Sequence, residues 1–213
     1  MIRDNRSRPS IMRTYWSDEL RIMLRPVSTY RELSKAAVDS GVWAIIRRPL
    51  FVALVVGSFV SITVSGRLTI SLLFDGMVFW SFVPILQGVL MSGIVVIFGR
   101  RRLSSSKAVD LFFMGHGPWL MWLLAIAATC LFFPVKQFYL WPIHGGWVLP
   151  VSLLGAWIWS SVTTFAFLRG ALELSKLCAS VLLVLYTFLL WGIVISFLVV
   201  TESIPLHRIT SLS

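Results

Sequence analysis

The sequence predicts an all-α polytopic membrane protein, with five transmembrane helices preceded by a cytoplasmic amphipathic helical segment. The 213-residue chain is 57% hydrophobic and only 13% charged, with a mean hydropathy of +0.85. A soluble domain of that composition would expose too much apolar surface. Five uncharged runs of about 20 residues each are long enough for a helix to cross a bilayer. They are 49–66, 77–98, 111–133, 147–168 and 177–200. Helices are expected because lipid offers the backbone no hydrogen-bond partners.

Positive charge is concentrated on alternate connections between these runs. Of the 19 Lys and Arg residues, 16 lie before the first run or on the second and fourth connections, and only Arg67, Lys136 and Arg208 lie on the other side. The positive-inside rule then places the N-terminus in the cytoplasm and the C-terminus outside. This distribution accounts for the net charge of +10 without nucleic acid as a partner.

Residues 1–48 form the predicted cytoplasmic basic amphipathic segment. Apolar positions at helical spacing indicate a helix over 11–24, which Pro26 ends. A second helix is expected to begin at Thr29, with Ser28 as its N-cap, and to run toward Ile46. Both helices are too polar to span but basic enough to lie on an anionic leaflet. The candidate lipid- or partner-binding residues are Arg21, Arg25 and Arg31 here, with Arg100, Arg101 and Arg102 on the second connection. Alternatively, these residues only set the orientation of the chain.

The predicted transmembrane domain, 49–200, has two helices with a small residue at every fourth position. The first crossing carries Gly57, Ser61 and Ser65. Such a strip lets another helix approach closely, which favours packing where lipid offers no hydrophobic gain. The helix-packing candidates on the fourth crossing are Ser152, Ala156, Ser160 and Thr164.

Prolines and polar residues predict local features of the second and third crossings. Asp75 is expected to cap the second helix, and Pro84 to kink it near Trp80. Pro118 predicts that the third helix starts irregularly, with 111–117 as a separate piece. Gln87 is interpreted as an interhelical hydrogen-bonding group. Residues 201–213 are expected to form a short extracytoplasmic tail.

The chain has few residues suited to catalysis or metal binding. No ionisable acid or base lies at the centre of a run, and no nucleophile elbow, P-loop or zinc-protease motif occurs. Cys130 and Cys178 have no metal-type spacing, and the three histidines fall on different sides of the membrane, so no metal or cofactor is predicted. His116 is interpreted as bonded to a backbone carbonyl, or alternatively as paired with Asp110 or Glu173 near the cytoplasmic boundary.

Three features resemble the Yip1-domain family, especially its bacterial members. Residues 24–33 (LRPVSTYREL) resemble the pre-membrane segment of the family, with Pro26, Tyr30 and Leu33 at its pattern positions. Residues 104–120 (SSSKAVDLFFMGHGPWL) resemble the segment that opens the third helix with glycine and proline. The layout of five crossings is the third feature. The resemblance implies a multi-pass protein of the bacterial inner membrane and supplies no catalytic residues.

The leading functional hypothesis is a non-enzymatic accessory or scaffold protein that binds membrane lipids or other membrane proteins, as a homo- or hetero-oligomer. The second is a permease-like transporter subunit that works with a separate ATPase, with movement permitted by Gly76, Pro84 and Gly88. The third is an intramembrane enzyme that uses His116 with Asp110 or Glu173.

Overall fold

The computed structural model describes residues 11–36, 42–98, 103–133 and 148–203. Every regular element in these ranges is a helix, as predicted, and no strand occurs in them. The helices are α1 Ile11–Leu24, α2 Pro26–Lys35, α3 Val42–Ser65, α4 Ile70–Trp80, α5 Phe82–Phe98, α6 Ser105–Met114, α7 Gly117–Phe132, α8 Val148–Gly170 and α9 Lys176–Ser203.

Four helical stretches are long and apolar enough to cross a membrane. They are Ile46–Ser65 in α3, Ile70–Phe98 in α4 and α5, Leu149–Gly170 in α8, and Lys176–Thr201 in α9. The pair α6 and α7, bent by 42° at its break, is a fifth candidate when it is counted as one span. Composition therefore predicts a multi-pass membrane protein, and the helices have the lengths that this requires.

The second stretch is broken where proline predicts a kink. α4 ends at Trp80 and α5 begins at Phe82. Pro84 has no N–H to donate to the carbonyl of Trp80, four residues before it, so the regular ladder cannot continue. The predicted cap at Asp75 is wrong: α4 begins at Ile70, and Asp75 lies inside it. The apolar residues before Asp75 extend the helix instead of forming a connection.

The predicted third crossing corresponds to the pair α6 and α7. It starts with a separate helix, as predicted, but that helix begins at Ser105 and not at residue 111. Ser104 caps α6, since its Oγ accepts from the backbone N–H of Lys107 at 3.3 Å. Gly115 and His116 then separate α6 from α7, and Pro118 lies in the first turn of α7, where its missing N–H is not needed. α6 is buried throughout residues 108–114, so it lies inside the bundle and not on its surface.

The N-terminal foot consists of α1 and α2, residues 11–35. α1 has the predicted bounds, whereas α2 begins at Pro26 and not at Thr29. Ser28 is not the N-cap, because its Oγ donates to the carbonyl of Arg25 at 3.1 Å. A proline at the first helical position is already held at a helical φ, which explains the earlier start. α2 also ends at Lys35, well short of Ile46.

The foot is attached to one end of the bundle. A Cβ added to Gly170, the last residue of α8, would lie 2.6 Å from the carbonyl oxygen of Val27. Lys107 in α6 donates from Nζ to the carbonyl of Ser34 at 2.7 Å, and also to that of Ala36. Arg48, near the start of α3, donates to Glu19 of the foot at 2.9 Å. The starts of α3 and α6 and the end of α8 therefore all lie at this end, here called the foot end.

α3 and α4 cross at a contact made by glycines. A Cβ on Gly57 would lie 2.4 Å from the Cα of Met77, and a Cβ on Gly76 would lie 2.6 Å from the carbonyl oxygen of Gly57. Ser61, the next small residue of the predicted strip, also faces Gly76. The strip of the first crossing therefore packs within the chain, and Gly76 forms a close contact with α3.

Replacing Gly57 with Ala is expected to lower the free energy of unfolding by about 1–3 kcal/mol, because the new methyl group meets backbone atoms that cannot rotate away. The measurement is denaturant unfolding of the purified chain in detergent. The matched control is Gly93→Ala on α5, where a Cβ meets nothing within 4 Å and where alanine is expected to be neutral or stabilising. Equal destabilisation by the two variants would contradict the close crossing.

Candidate functional site

A cavity of about 190 Å³ lies within the bundle. Its described lining comes from helices far apart in the sequence, α3 through α9, so only the folded bundle forms it. The lining is mostly apolar, and the described lining residues include no Asp, Glu, Lys or Arg. Such a cavity disfavours a charged occupant, because a charge taken out of water without a partner is costly.

Four tryptophans from four different helices line the cavity. They are Trp80 of α4, Trp119 of α7, Trp157 of α8 and Trp191 of α9. Tryptophan offers a large rigid apolar face, and its N–H provides a single donor. Apolar lining with a few polar groups is typical of small-molecule sites.

His116 and Gln87 form the polar contact of this cavity. His116 Nε2 lies 3.1 Å from Gln87 Oε1, which joins the α6–α7 break to α5. The prediction that Gln87 makes an interhelical hydrogen bond is confirmed. The imidazole ring also stacks on Phe113, with ring centroids 4.8 Å apart, and meets Phe112 edge-on at 5.0 Å. These contacts fix the ring, and a neutral imidazole that donates from Nε2 has a lone pair on Nδ1.

Two buried polar atoms at the cavity make no well-formed hydrogen bond to the part of the chain that the structure describes. They are Nδ1 of His116 and the hydroxyl oxygen of Tyr186. Both side chains line the cavity and are more than nine-tenths buried, with His116 8% and Tyr186 6% exposed. Tyr186 lies close to Gln87. Buried polar groups are seldom left unpaired in folded proteins, so each unpaired group needs an explanation.

The acidic partners considered for His116 lie in other environments. Asp110 Oδ1 is 2.7 Å from Arg48 Nε and 3.5 Å from Arg47. Glu173 is exposed, in the turn between α8 and α9, with a φ of 54°. Among the described side chains, His116 hydrogen-bonds to Gln87 and not to either carboxylate. The proposed dyad with Asp110 or Glu173 is therefore wrong.

A buried ion cluster at the foot end joins three helices. Arg48 of α3 pairs with Asp110 of α6, and both side chains are only 10% exposed. Arg48 also donates to Glu19 of α1 at 2.9 Å. Every charge in the cluster has an opposite neighbour, so none is left unpaired where it is partly removed from water. The cluster fixes α1 against the bundle.

The predicted basic residues of the foot are all exposed: Arg21, Arg25 and Arg31. Arg21 is engaged within the foot, since it donates to Asp18 at 3.2 Å and also to Glu32. The hydrogen bond to Glu32 raises the pKa of the Arg21 guanidinium. The other predicted basic cluster, Arg100, Arg101 and Arg102, lies outside the described residues.

The small residues of α8 occupy two different environments. Ser152 accepts from the Trp122 Nε1–H of α7 at 3.1 Å, and Ala156 is buried. Ser160 and Thr164 line the cavity. The strip therefore faces α7 at one end and the cavity at the other.

Sequence reasoning missed the cavity, although α8 carries a signal for it. Trp157, Ser160, Ser161 and Thr164 all line the cavity and recur at the spacing of one helix face. A face that combines tryptophan with hydroxyls inside an apolar run differs from a lipid-facing surface. No group of His, Cys, Asp or Glu able to hold a metal occurs among the described residues.

Comparison of the chain with protein-family models, with curated proteins and with solved structures gives no match.

Proposed function

We propose that this chain is a non-enzymatic accessory protein of Yip1-like type, in the inner membrane of a bacterium, which binds lipids or partner proteins through its foot. The observation that carries the proposal is the foot itself. It is held to the bundle by one face and presents basic residues on the other. The resemblance at Pro26, Tyr30 and Leu33 supports the same assignment.

The foot is anchored by side chains that leave its arginines exposed. Tyr30 is fully buried, and its ring meets Phe167 of α8 edge-on, with centroids 5.6 Å apart. Ile22 of α1 is fully buried as well. Arg25, between α1 and α2, and Arg31 of α2 are both exposed. Because the buried face fixes the orientation, the two guanidinium groups are displayed without the foot having to fold on binding.

We further propose five crossings, with α6 and α7 together as the third, the N-terminus in the cytoplasm and the C-terminus outside. In the described ranges, Lys35, Arg48, Lys107 and Arg169 belong to segments at the foot end, whereas Arg67 lies at the opposite end of α3. A cytoplasmic foot end agrees with the positive-inside rule. It would also place the foot beside the anionic cytoplasmic leaflet, which attracts basic groups near the membrane surface.

Replacing Arg31 with Gln is expected to weaken binding of phosphatidylglycerol to the purified chain about fivefold, because one basic group near an anionic surface contributes about 1 kcal/mol. Native mass spectrometry of the chain titrated with this lipid measures the affinity. Arg67→Gln removes the same charge from an exposed residue at the other end of α3 and serves as the matched control. Equal binding by the wild type and both variants would show that the foot does not bind lipid headgroups.

A permease-like subunit is the second candidate, and the cavity favours it. The cavity lies next to the α4–α5 break, since both Trp80 and Pro84 line it. A broken helix beside a cavity is a feature of transporters. Co-purification of an ATPase with the chain from native membranes would support this candidate over a scaffold.

A further inference from the structure

We infer that the cavity binds a small uncharged aromatic molecule that carries a hydroxyl group, with the ring among the tryptophans and the hydroxyl at Tyr186 and Gln87. This site is separate from the foot and does not depend on the proposed function. The size of the cavity, its lack of charged lining residues and its buried polar atoms select this class of ligand.

The size of the cavity fits one ring with a substituent. The volume is about 190 Å³, and an apolar protein cavity of about 150 Å³ is known to hold benzene. A molecule much larger than a substituted benzene would not fit without movement of the lining. A whole diacyl lipid is therefore too large to lie within this space.

The lining selects an uncharged ligand. None of the described lining residues is Asp, Glu, Lys or Arg, so a carboxylate or an ammonium group would have no counter-ion there and would lose its hydration. His116 does not change this conclusion. With no carboxylate beside it in the described lining, a protonated imidazole would itself be an unpaired buried charge.

The polar groups select a hydroxyl. The Tyr186 hydroxyl is buried, and no described residue accepts its hydrogen. The Gln87 Oε1 is occupied by His116, while the Gln87 side chain also lies close to the Tyr186 hydroxyl. A phenolic hydroxyl both donates and accepts, so it can pair with Tyr186 and Gln87 together. A purely apolar ligand would leave these groups unpaired.

The tryptophans contact the ring of the ligand, and their fluorescence provides a signal for binding. Trp119 and Trp157 approach the cavity from α7 and α8, and aromatic rings gain by stacked or edge-on contact with one another. A brominated ligand quenches tryptophan fluorescence on contact. Binding is therefore measurable without a label on the protein.

The experiment titrates the full-length protein, in lipid nanodiscs at neutral pH, with three probes. These are 4-bromophenol, bromobenzene, which lacks the hydroxyl, and 4-bromobenzoate, which is charged. Saturable quenching by 4-bromophenol is expected, with bromobenzene about tenfold weaker and with no saturable quenching by 4-bromobenzoate. The variant Tyr186→Phe removes only one oxygen. It is expected to reduce the affinity for 4-bromophenol about tenfold and to leave that for bromobenzene unchanged.

A second pair of variants separates cavity binding from partition into the lipid. Val56→Phe places a ring in the cavity lining and is expected to abolish saturable quenching. Val89→Phe makes the same change at a position of α5 that is 64% exposed and should behave as wild type. The inference is overturned if 4-bromophenol quenches without saturation in the wild type, if Tyr186→Phe binds it as tightly as wild type does, or if 4-bromobenzoate quenches saturably with equal affinity.

Discussion

Replacing Asp110 with Ala is expected to lower the free energy of unfolding by about 3–5 kcal/mol. The substitution leaves the guanidinium of Arg48, whose side chain is 10% exposed, without its closest counter-ion. Removing one partner of a buried ion pair costs this much because the remaining charge stays away from water. Glu19 lies 2.9 Å from Arg48 but is itself partly exposed, so it compensates only in part. Denaturant unfolding of the purified chain in detergent measures the change.

Two further variants test whether the buried charge is the cause. The double variant Arg48→Met with Asp110→Leu is expected to recover most of the lost stability, since it replaces both charges by apolar groups of similar size. Asp75→Ala removes an exposed carboxylate from α4 and is expected to change stability by less than about 0.5 kcal/mol. If the double variant is as unstable as Asp110→Ala alone, the ion pair does not explain the loss.

Replacing Tyr30 with Ala is expected to destabilise attachment of the foot by about 3–5 kcal/mol, the usual cost of removing a fully buried aromatic ring. The ring contacts Phe167, and its hydroxyl oxygen would lie 2.4 Å from a Cβ added to Gly115. Hydrogen exchange of residues 11–35 should therefore accelerate more than exchange in α9, since the foot opens before the bundle does.

Tyr30→Phe is the matched control for this prediction. The Tyr30 hydroxyl is buried without a hydrogen-bond partner in the described part of the chain, and removing such a group is expected to be neutral or stabilising. Burial also raises the pKa of Tyr30, so the phenol stays neutral. The attachment of the foot should therefore not change across the physiological pH range. Equal exchange rates in the Ala and Phe variants would contradict the role assigned to the ring.

The local features of the fold could be predicted well from the sequence. The five apolar runs correspond to α3, α4 with α5, α6 with α7, α8 and α9, because length and hydropathy are properties of a continuous segment. The interruptions near Pro84 and Pro118 follow from the missing N–H of proline. The error at Asp75 arose because an apolar stretch that ends in Asp-Gly was interpreted as a connection, whereas in the structure it forms the first turns of α4.

The candidate site was harder to predict because its parts come from different helices. His116 and Gln87 are 29 residues apart, and no local pattern indicates that they meet. The attachment of Tyr30 depends in the same way on Gly115 and Gly170. The sequence indicates that α2 has an apolar face, but it does not indicate whether lipid or protein covers that face.

The attachment of the foot also has a consequence for biogenesis. Val27 packs against Gly170. The foot can therefore attach only after a segment about 140 residues later in the chain has been synthesised. At a synthesis rate of about 5–20 residues per second, the delay is on the order of ten seconds. During that interval Ile22 and Tyr30 have no bundle to cover them. We expect nascent chains truncated before α8 to bind an insertase or chaperone through residues 11–35, and to release it once α8 has been inserted.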